Sequence, residues 1–174
     1  MQKKIQATIH KNQVSSNSVE AHALFEKSKF GEKIGQKILY SLSEAFFLFE
    51  NNKIQILDFK NNPLLENQLL KKFHQIDKDF QTKYTAFKDL REKGYIVKTA
   101  LKFGATFRIY EKGKDPTKSH SKWLCYPVKE NSLIKWQDFA AKNRVANSCK
   151  KNLLVAIIDE ENQISYYEIK WLQP

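Results

Sequence analysis

A chain of 174 residues with 41% hydrophobic and 13% aromatic content can bury a core and is too apolar to be a disordered tail. Thirty Lys+Arg against nineteen Asp+Glu leave a formal charge of +11. That charge suits a polyanionic partner, nucleic acid first and an anionic membrane face second; a lysine excess that only aids solubility is the plainer alternative. No apolar run of about 18 residues is present, which excludes a membrane-spanning helix. The absence of GxGxxG and GxxxxGK[ST] argues against a nucleotide-dependent enzyme.

The opening "MQKKIQATIHKNQ" carries no apolar core of a secretory signal, so a cytoplasmic protein is expected. Residues 4–14 read as a short strand pair or an irregular entry. "SSNSVEAHALFEKS" reads as a helix capped by Ser18, with Val19, Ala23 and Phe25 or Glu26 near helical spacing. Two glycines mark a turn in "FGEKIGQKILY". "SLSEAFFLFENN" is a second helix, capped by Ser41 or Ser43 and ended by Asn51-Asn52. "KIQILDF" alternates, which puts Ile54, Ile56 and Phe59 on one face of a strand. Pro63 fits a helix start, and from there helical periodicity runs through Leu90 to a stop at Gly94.

Beyond Gly94 the period changes from 3.6 to 2. "YIVKTAL", "ATFRIYE", "KWLCYPV", "NLLVAIID" and "ISYYEIKWL" are strand candidates, interrupted by one helix, "SLIKWQDFAAKNRVANSC". The expected fold class is α/β in the α+β sense. A helix-rich N-terminal α/β domain over residues 1–80 precedes a C-terminal mixed-sheet domain over 81–174, flanked by helices. The two cysteines, Cys125 and Cys149, have no metal-ligand spacing and form no disulfide framework. No carboxylate or His/Cys cluster suggests a metal site, so no metal and no cofactor is expected; a Mg²⁺-dependent nuclease of the restriction type would need clustered acids.

One stretch, "FRIYEKGKDPTKSH", carries a tyrosine at the end of a strand, a lysine-rich loop and a histidine. With its flanks, "LREKGYIVKTALKFGATFRIYEKG" and "RVANSCKKNLLVAIIDEENQISYYEIKWL", it resembles the archaeal tRNA-splicing endonuclease family, and "EAHALFEKSKFGEKIGQKILYSLSEAFFLFENNKIQI" adds a weaker likeness in the front half. The resemblance implies a catalytic endonuclease domain at the C-terminus and a catalytic set of Tyr110, His120 and Lys151. Thr106 stands where that family has an acidic residue, and Asn147 where a histidine is common. The family activity is excision of introns from precursor tRNA at bulge-helix-bulge RNA. An in-line attack of the 2′-oxygen leaves a 2′,3′-cyclic phosphate and a 5′-hydroxyl.

Those side chains suit that chemistry. An imidazole titrates near neutrality and can protonate the leaving 5′-oxygen. An ammonium offers compact positive charge to the non-bridging oxygens. The phenol of Tyr110 is either the base or the group that orients the 2′-hydroxyl. The resemblance further implies that Arg144 and Trp171 sandwich a flipped-out bulge base, against the alternatives of a surface charge and of edge packing. Asp159, Glu160 and Glu161 are either a polar hairpin turn or an acidic loop that inserts into a basic pocket of a partner subunit. A homotetramer or an α2β2 heterotetramer is implied. The other role open to such a chain is a non-catalytic structural or RNA-binding subunit, which would lack the three catalytic side-chain types.

Overall fold

The computed structural model describes residues 3–172. Among them, five α-helices and two five-stranded mixed sheets make an α+β fold that divides into two compact units between Gln81 and Thr82.

The first unit begins with a hairpin of β1 (Ile5–His10) and β2 (Gln13–Ser16). Ile5, Ala7 and Ile9 alternate inward along β1. Helix α1 (Val19–Ser28) is capped by Ser18, whose hydroxyl accepts from the Ala21 N–H at 3.2 Å. Val19, expected on the packed face, is exposed, and Ala21 is the buried residue. Two residues turn a helix by about 200°, so a face built on Ala21 sends Val19 to solvent.

Strands β3 (Glu32–Ile34) and β4 (Lys37–Tyr40) form a second hairpin around Gly35. Gly31 enters it at φ 79°, where a Cβ would clash with Ile38 Cγ2. Helix α2 (Leu42–Glu50) starts with a capping box. Ser41 Oγ accepts from the Glu44 N–H at 3.2 Å, and Glu44 Oε2 accepts from the Ser41 N–H at 3.0 Å. The other Glu44 oxygen accepts from the Gly31 N–H at 3.0 Å, so this buried carboxylate is hydrogen-bonded on both sides. Strand β5 (Ile54–Leu57) lies parallel to β1, giving the order β3-β4-β2-β1-β5.

Three expectations fail at the end of this unit. Phe59 is exposed beyond β5, because Asp58 Oδ1 accepts from the N–H groups of Lys60 and Asn62, both at 2.8 Å, and turns the chain there. Pro63 does not open a helix. It forms a bridge with Leu57, the Leu64 N–H bonds Ile56 O at 2.9 Å, and α3 (Glu66–Ile76) begins three residues later. The single long helix is two helices, α3 and α4 (Phe80–Glu92). Asp77 breaks it with extended angles of φ −140° and ψ 108°. Its N–H closes α3 on Phe73 O at 2.8 Å, and its carbonyl and carboxylate accept the N–H groups of Phe80 and Asp79. Phe46, Phe73 and Phe80 pack edge to face here, with the Phe73–Phe80 centroids 5.2 Å apart.

The second unit is built on β6 (Ile96–Ala100), β7 (Ala105–Tyr110), β8 (Trp123–Lys129), β9 (Asn152–Ile158) and β10 (Ile164–Ile169), in the order β10-β9-β8-β7-β6. All neighbours are antiparallel except β8 and β9, which the crossover helix α5 (Trp136–Ser148) joins in parallel. Residues paired across the sheet share a face. Phe107, Cys125 and Leu154 line one face, where Phe87 of α4 meets Phe107 at a centroid distance of 5.8 Å. Arg108, Leu124 and Leu153 line the other, where Ala146 of α5 joins Leu124, Tyr126 and Leu153 in the core. The unit is thus helix, sheet, helix. The last strand stops at Ile169, so Trp171, expected inside it, lies beyond its end. Both cysteines are free, Cys125 buried and Cys149 half-buried.

Candidate active site

The register of the second sheet collects the sequence-predicted residues at one of its ends. Tyr110 closes β7, and Ile109 pairs with Trp123, which pairs in turn with Asn152. The end of β7, the start of β8 and the start of β9 are therefore one edge of the sheet. Tyr110 is 3% exposed there. Lys151 immediately precedes β9, two strand spacings away, which is about 10 Å of backbone.

His120 reaches this edge through a closed loop. Asp115 Oδ1 accepts from the N–H and hydroxyl of Thr117 at 2.9 and 2.8 Å, which tightens the middle of the loop. Its base is closed twice. The Lys122 N–H donates to Ile109 O at 2.9 Å, and Lys122 Nζ donates to Glu111 Oε1 at 2.8 Å. The hydrogen bond and the opposite charge hold the Glu111 carboxyl below its ordinary range and the Lys122 ammonium above its own. Tyr110 and His120 each lie within two residues of that closure. His120 itself is exposed, between half-buried Ser119 and buried Ser121.

Lys151 is set by the end of α5. Lys150 takes a left-handed φ of 54°, its N–H bonds Asn147 O at 2.9 Å, and the Lys151 N–H bonds Ala146 O at 2.9 Å. That is a Schellman stop with a lysine in place of the usual glycine. It delivers Lys151 onto the α5 face: its ammonium sits 6.0 Å from the Phe103 ring centre, and Phe103 packs against the core under α5. By alternation Tyr110 is on the same face. Among the described residues neither the Tyr110 phenol nor the His120 imidazole makes a side-chain hydrogen bond. The Lys151 ammonium has a long contact of 3.5 Å to Cys149 O. Thus the fold brings three chain positions to one edge without bonding their heads to one another.

The other predicted residues divide between the two ends of the sheet. Arg144 is exposed on the last turns of α5, and its carbonyl accepts from the Ser148 hydroxyl at 2.9 Å. Trp171 is 46% exposed. It follows β10, whose last residue Ile169 pairs with Leu153 near the start of β9, so the chain leaves the sheet at the tyrosine end. Asp159, Glu160 and Glu161 lie at the far end of β9, about 20 Å along a strand of this length. Asp159 organises that turn, with Oδ1 accepting from the N–H groups of Glu161 and Gln163 at 2.9 and 2.8 Å. Glu160 and Glu161 are exposed, and Glu130 joins them, its carboxylate accepting the Glu160 N–H at 3.2 Å.

Four residues of this edge escape a reading by motif. Lys122 and Glu111 close the histidine loop. Glu168 fastens the last strand, accepting from the Trp123 indole N–H at 2.6 Å and from Asn152 Nδ2 at 3.0 Å. The indole hydrogen bond first, then Lys170 and Lys122, hold its carboxyl below the ordinary range against a smaller desolvation cost. Arg108, two residues before Tyr110, shares its face, a fact that strand alternation alone supplies. Among the described residues no three His, Cys, Asp or Glu side chains gather where they could hold a metal ion. No described helix is long and apolar enough to cross a membrane.

Comparison with known proteins matches both units. The family described as tRNA intron endonuclease, catalytic C-terminal domain, matches residues 80–166. The family described as tRNA intron endonuclease, N-terminal domain, matches residues 5–70. The chain is 41% identical over 150 residues to a tRNA-splicing endonuclease of Thermococcus onnurineus, covering 86% of this chain and 85% of that protein. It is 38% identical over 174 residues to one of Pyrococcus abyssi, covering 99% of both. It is 39% identical over 139 residues to one of Nanoarchaeum equitans, covering 76% of this chain and 88% of that protein.

Proposed function

The chain belongs to the tRNA intron endonuclease family, and from that premise we propose that it excises introns from precursor tRNA by cutting bulge-helix-bulge RNA. The cut leaves a 2′,3′-cyclic phosphate and a 5′-hydroxyl and uses no metal ion. The 2′-oxygen of the nucleotide before the break attacks the adjacent phosphorus, and the P–O5′ bond breaks. The proton of the 2′-hydroxyl leaves toward Tyr110, which accepts it or orients the hydroxyl. His120 gives a proton to the departing 5′-oxygen. The Lys151 ammonium faces the non-bridging oxygens while their charge grows.

The observation that carries this reading is the register that sets Tyr110, the closure of the His120 loop and Lys151 on one sheet edge. Exposure of His120 suits a group that must meet a large substrate. Arg144 and Trp171 supply a guanidinium and an indole to stack on an unpaired base. Their partner base belongs to a bulge handled beside another active site, so the enzyme acts as a homotetramer or an α2β2 assembly. The acidic turn at the opposite end of β9 supports this, since Glu160 and Glu161 project charge where their own site cannot use it. The two cuts of one intron need two sites at a fixed separation.

The test is incubation of the purified chain with a bulged precursor tRNA in EDTA, followed by analysis of the ends. Cyclic phosphate and 5′-hydroxyl ends support the reading; cleavage abolished by EDTA, or 5′-phosphate ends, contradicts it.

A further inference from the structure

Among the described residues Arg108 has the Tyr110 ring as its cation–π neighbour and no ion pair. It pairs across the sheet with Leu124 on one side and with Lys98 on the other. Leu124 is buried, and the next residue in the row, Leu153, is buried too. The Arg108 Nε is buried and, among the described residues, has no hydrogen-bond acceptor. A buried N–H left without an acceptor is costly, which makes it a feature that calls for an explanation.

The guanidinium also has a defined neighbour. Its Cζ lies 6.0 Å from the centre of the Tyr110 ring, on the face that Lys151 shares. A planar, permanently charged fork is the side chain best shaped for a phosphate oxygen. The formal charge of +11 over the whole chain favours a polyanion as the source of that oxygen.

We propose that Arg108 binds a backbone phosphate of the substrate RNA beside Tyr110 and so holds the tyrosine ring against the reacting nucleotide. The bound phosphate meets the terminal guanidinium nitrogens, since the enclosed Nε is out of its reach, and offsets the Arg108 charge. The ring, pressed by the anchored guanidinium, then has one position. This deepens the proposed endonuclease reading and rests on it.

The experiment measures binding of a bulged RNA carrying 2′-deoxy residues at both cut positions, over a range of salt concentrations. The wild-type protein is compared with R108Q and R108K, and the mass of each assembly is recorded. R108Q is expected to lower the slope of log K against log salt by about 0.7 per site, the value for one lost single-strand phosphate contact. R108K keeps the slope. With the wild-type protein, a single neutral methylphosphonate near the cut weakens binding, and the same substitution costs R108Q nothing further. The methylphosphonate scan on wild type needs no variant to fold. An unchanged slope in a folded R108Q, or a scan in which no phosphate flanking the cut matters, overturns the proposal. So does an R108Q assembly that dissociates with its slope intact, which would make Arg108 an interface residue. Wild-type protein that neither binds nor cuts the natural RNA without 2′-deoxy residues would instead sink the endonuclease reading.

Discussion

The Tyr166 hydroxyl donates a 2.7 Å hydrogen bond to Asp89 Oδ2, tying β10 to α4 across 77 residues of chain. Burial, and then Asp89 itself, push the Tyr166 phenol well above its ordinary value. Asp89 also accepts from Lys93 Nζ at 2.7 Å, so it stays paired when the phenol is removed. Tyr166→Phe is therefore expected to cost about 1 kcal/mol, the net worth of one hydrogen bond. The sign with pH follows from the raised value. The contribution is whole below the unfolded phenol's pKa of about 10 and fades as pH climbs through the folded one. Melting curves of both proteins should keep a constant gap from neutral pH to about pH 9 and converge above about pH 10. Equal melting temperatures at neutral pH would show that this bond contributes nothing.

Lys150 takes the left-handed conformation that delivers Lys151, and a side chain there is strained. Lys150→Gly should stabilise the protein by about 0.5–1 kcal/mol, since glycine relieves the strain but adds freedom to the unfolded chain. Cleavage should be kept, because the stop itself is made by backbone bonds. A fall in melting temperature would mean that the Lys150 side chain holds something in place.

Charge reversal of the acidic turn should separate assembly from folding. Asp159 must be left alone, because its carboxylate builds the turn. Glu160→Lys with Glu161→Lys should leave the circular dichroism of the chain unchanged and lower the mass seen by light scattering. An intact assembly would remove the acidic turn from subunit pairing.

Arg144→Ala and Trp171→Ala should each weaken binding of a bulged RNA by about 1–3 kcal/mol, roughly the worth of one stacked base. Both side chains are exposed, so stability should be unaffected. A fully paired RNA should bind both variants as it binds wild type. A loss that is equal for bulged and paired RNA would make them general phosphate or packing contacts.

The strands of the second unit were legible because their alternation is close to regular; Ile54 and Ile56 in the first unit follow the same rule. The break at Asp77 was not. Phe73 and Phe80 are seven residues apart, two helical turns, so the apolar phase survives the interruption and the periodicity reads as one helix. Pro63 carried a start signal that a bridge to Leu57 overrode. Trp171 continues the alternation of β10 but runs past the end of β9, where no partner strand remains. Tyr110, His120 and Lys151 could be picked out only through a family likeness, since nothing in their spacing states that β7, β8 and β9 end together. Arg108 reads in sequence as an ordinary strand cation, and its buried, unpaired N–H and ring contact need coordinates.

The central claim is that a phenol, an imidazole and an ammonium act together on one phosphodiester. The most direct measurement is single-turnover cleavage of a bulged precursor tRNA by Tyr110→Phe, His120→Ala and Lys151→Ala, with RNA affinity measured in parallel. The account predicts a fall of about 10²–10⁴-fold for His120→Ala, the range for one acid–base group, with affinity nearly unchanged. Slower cleavage is expected for the other two variants as well. A His120→Ala protein that cuts at the wild-type rate would contradict it.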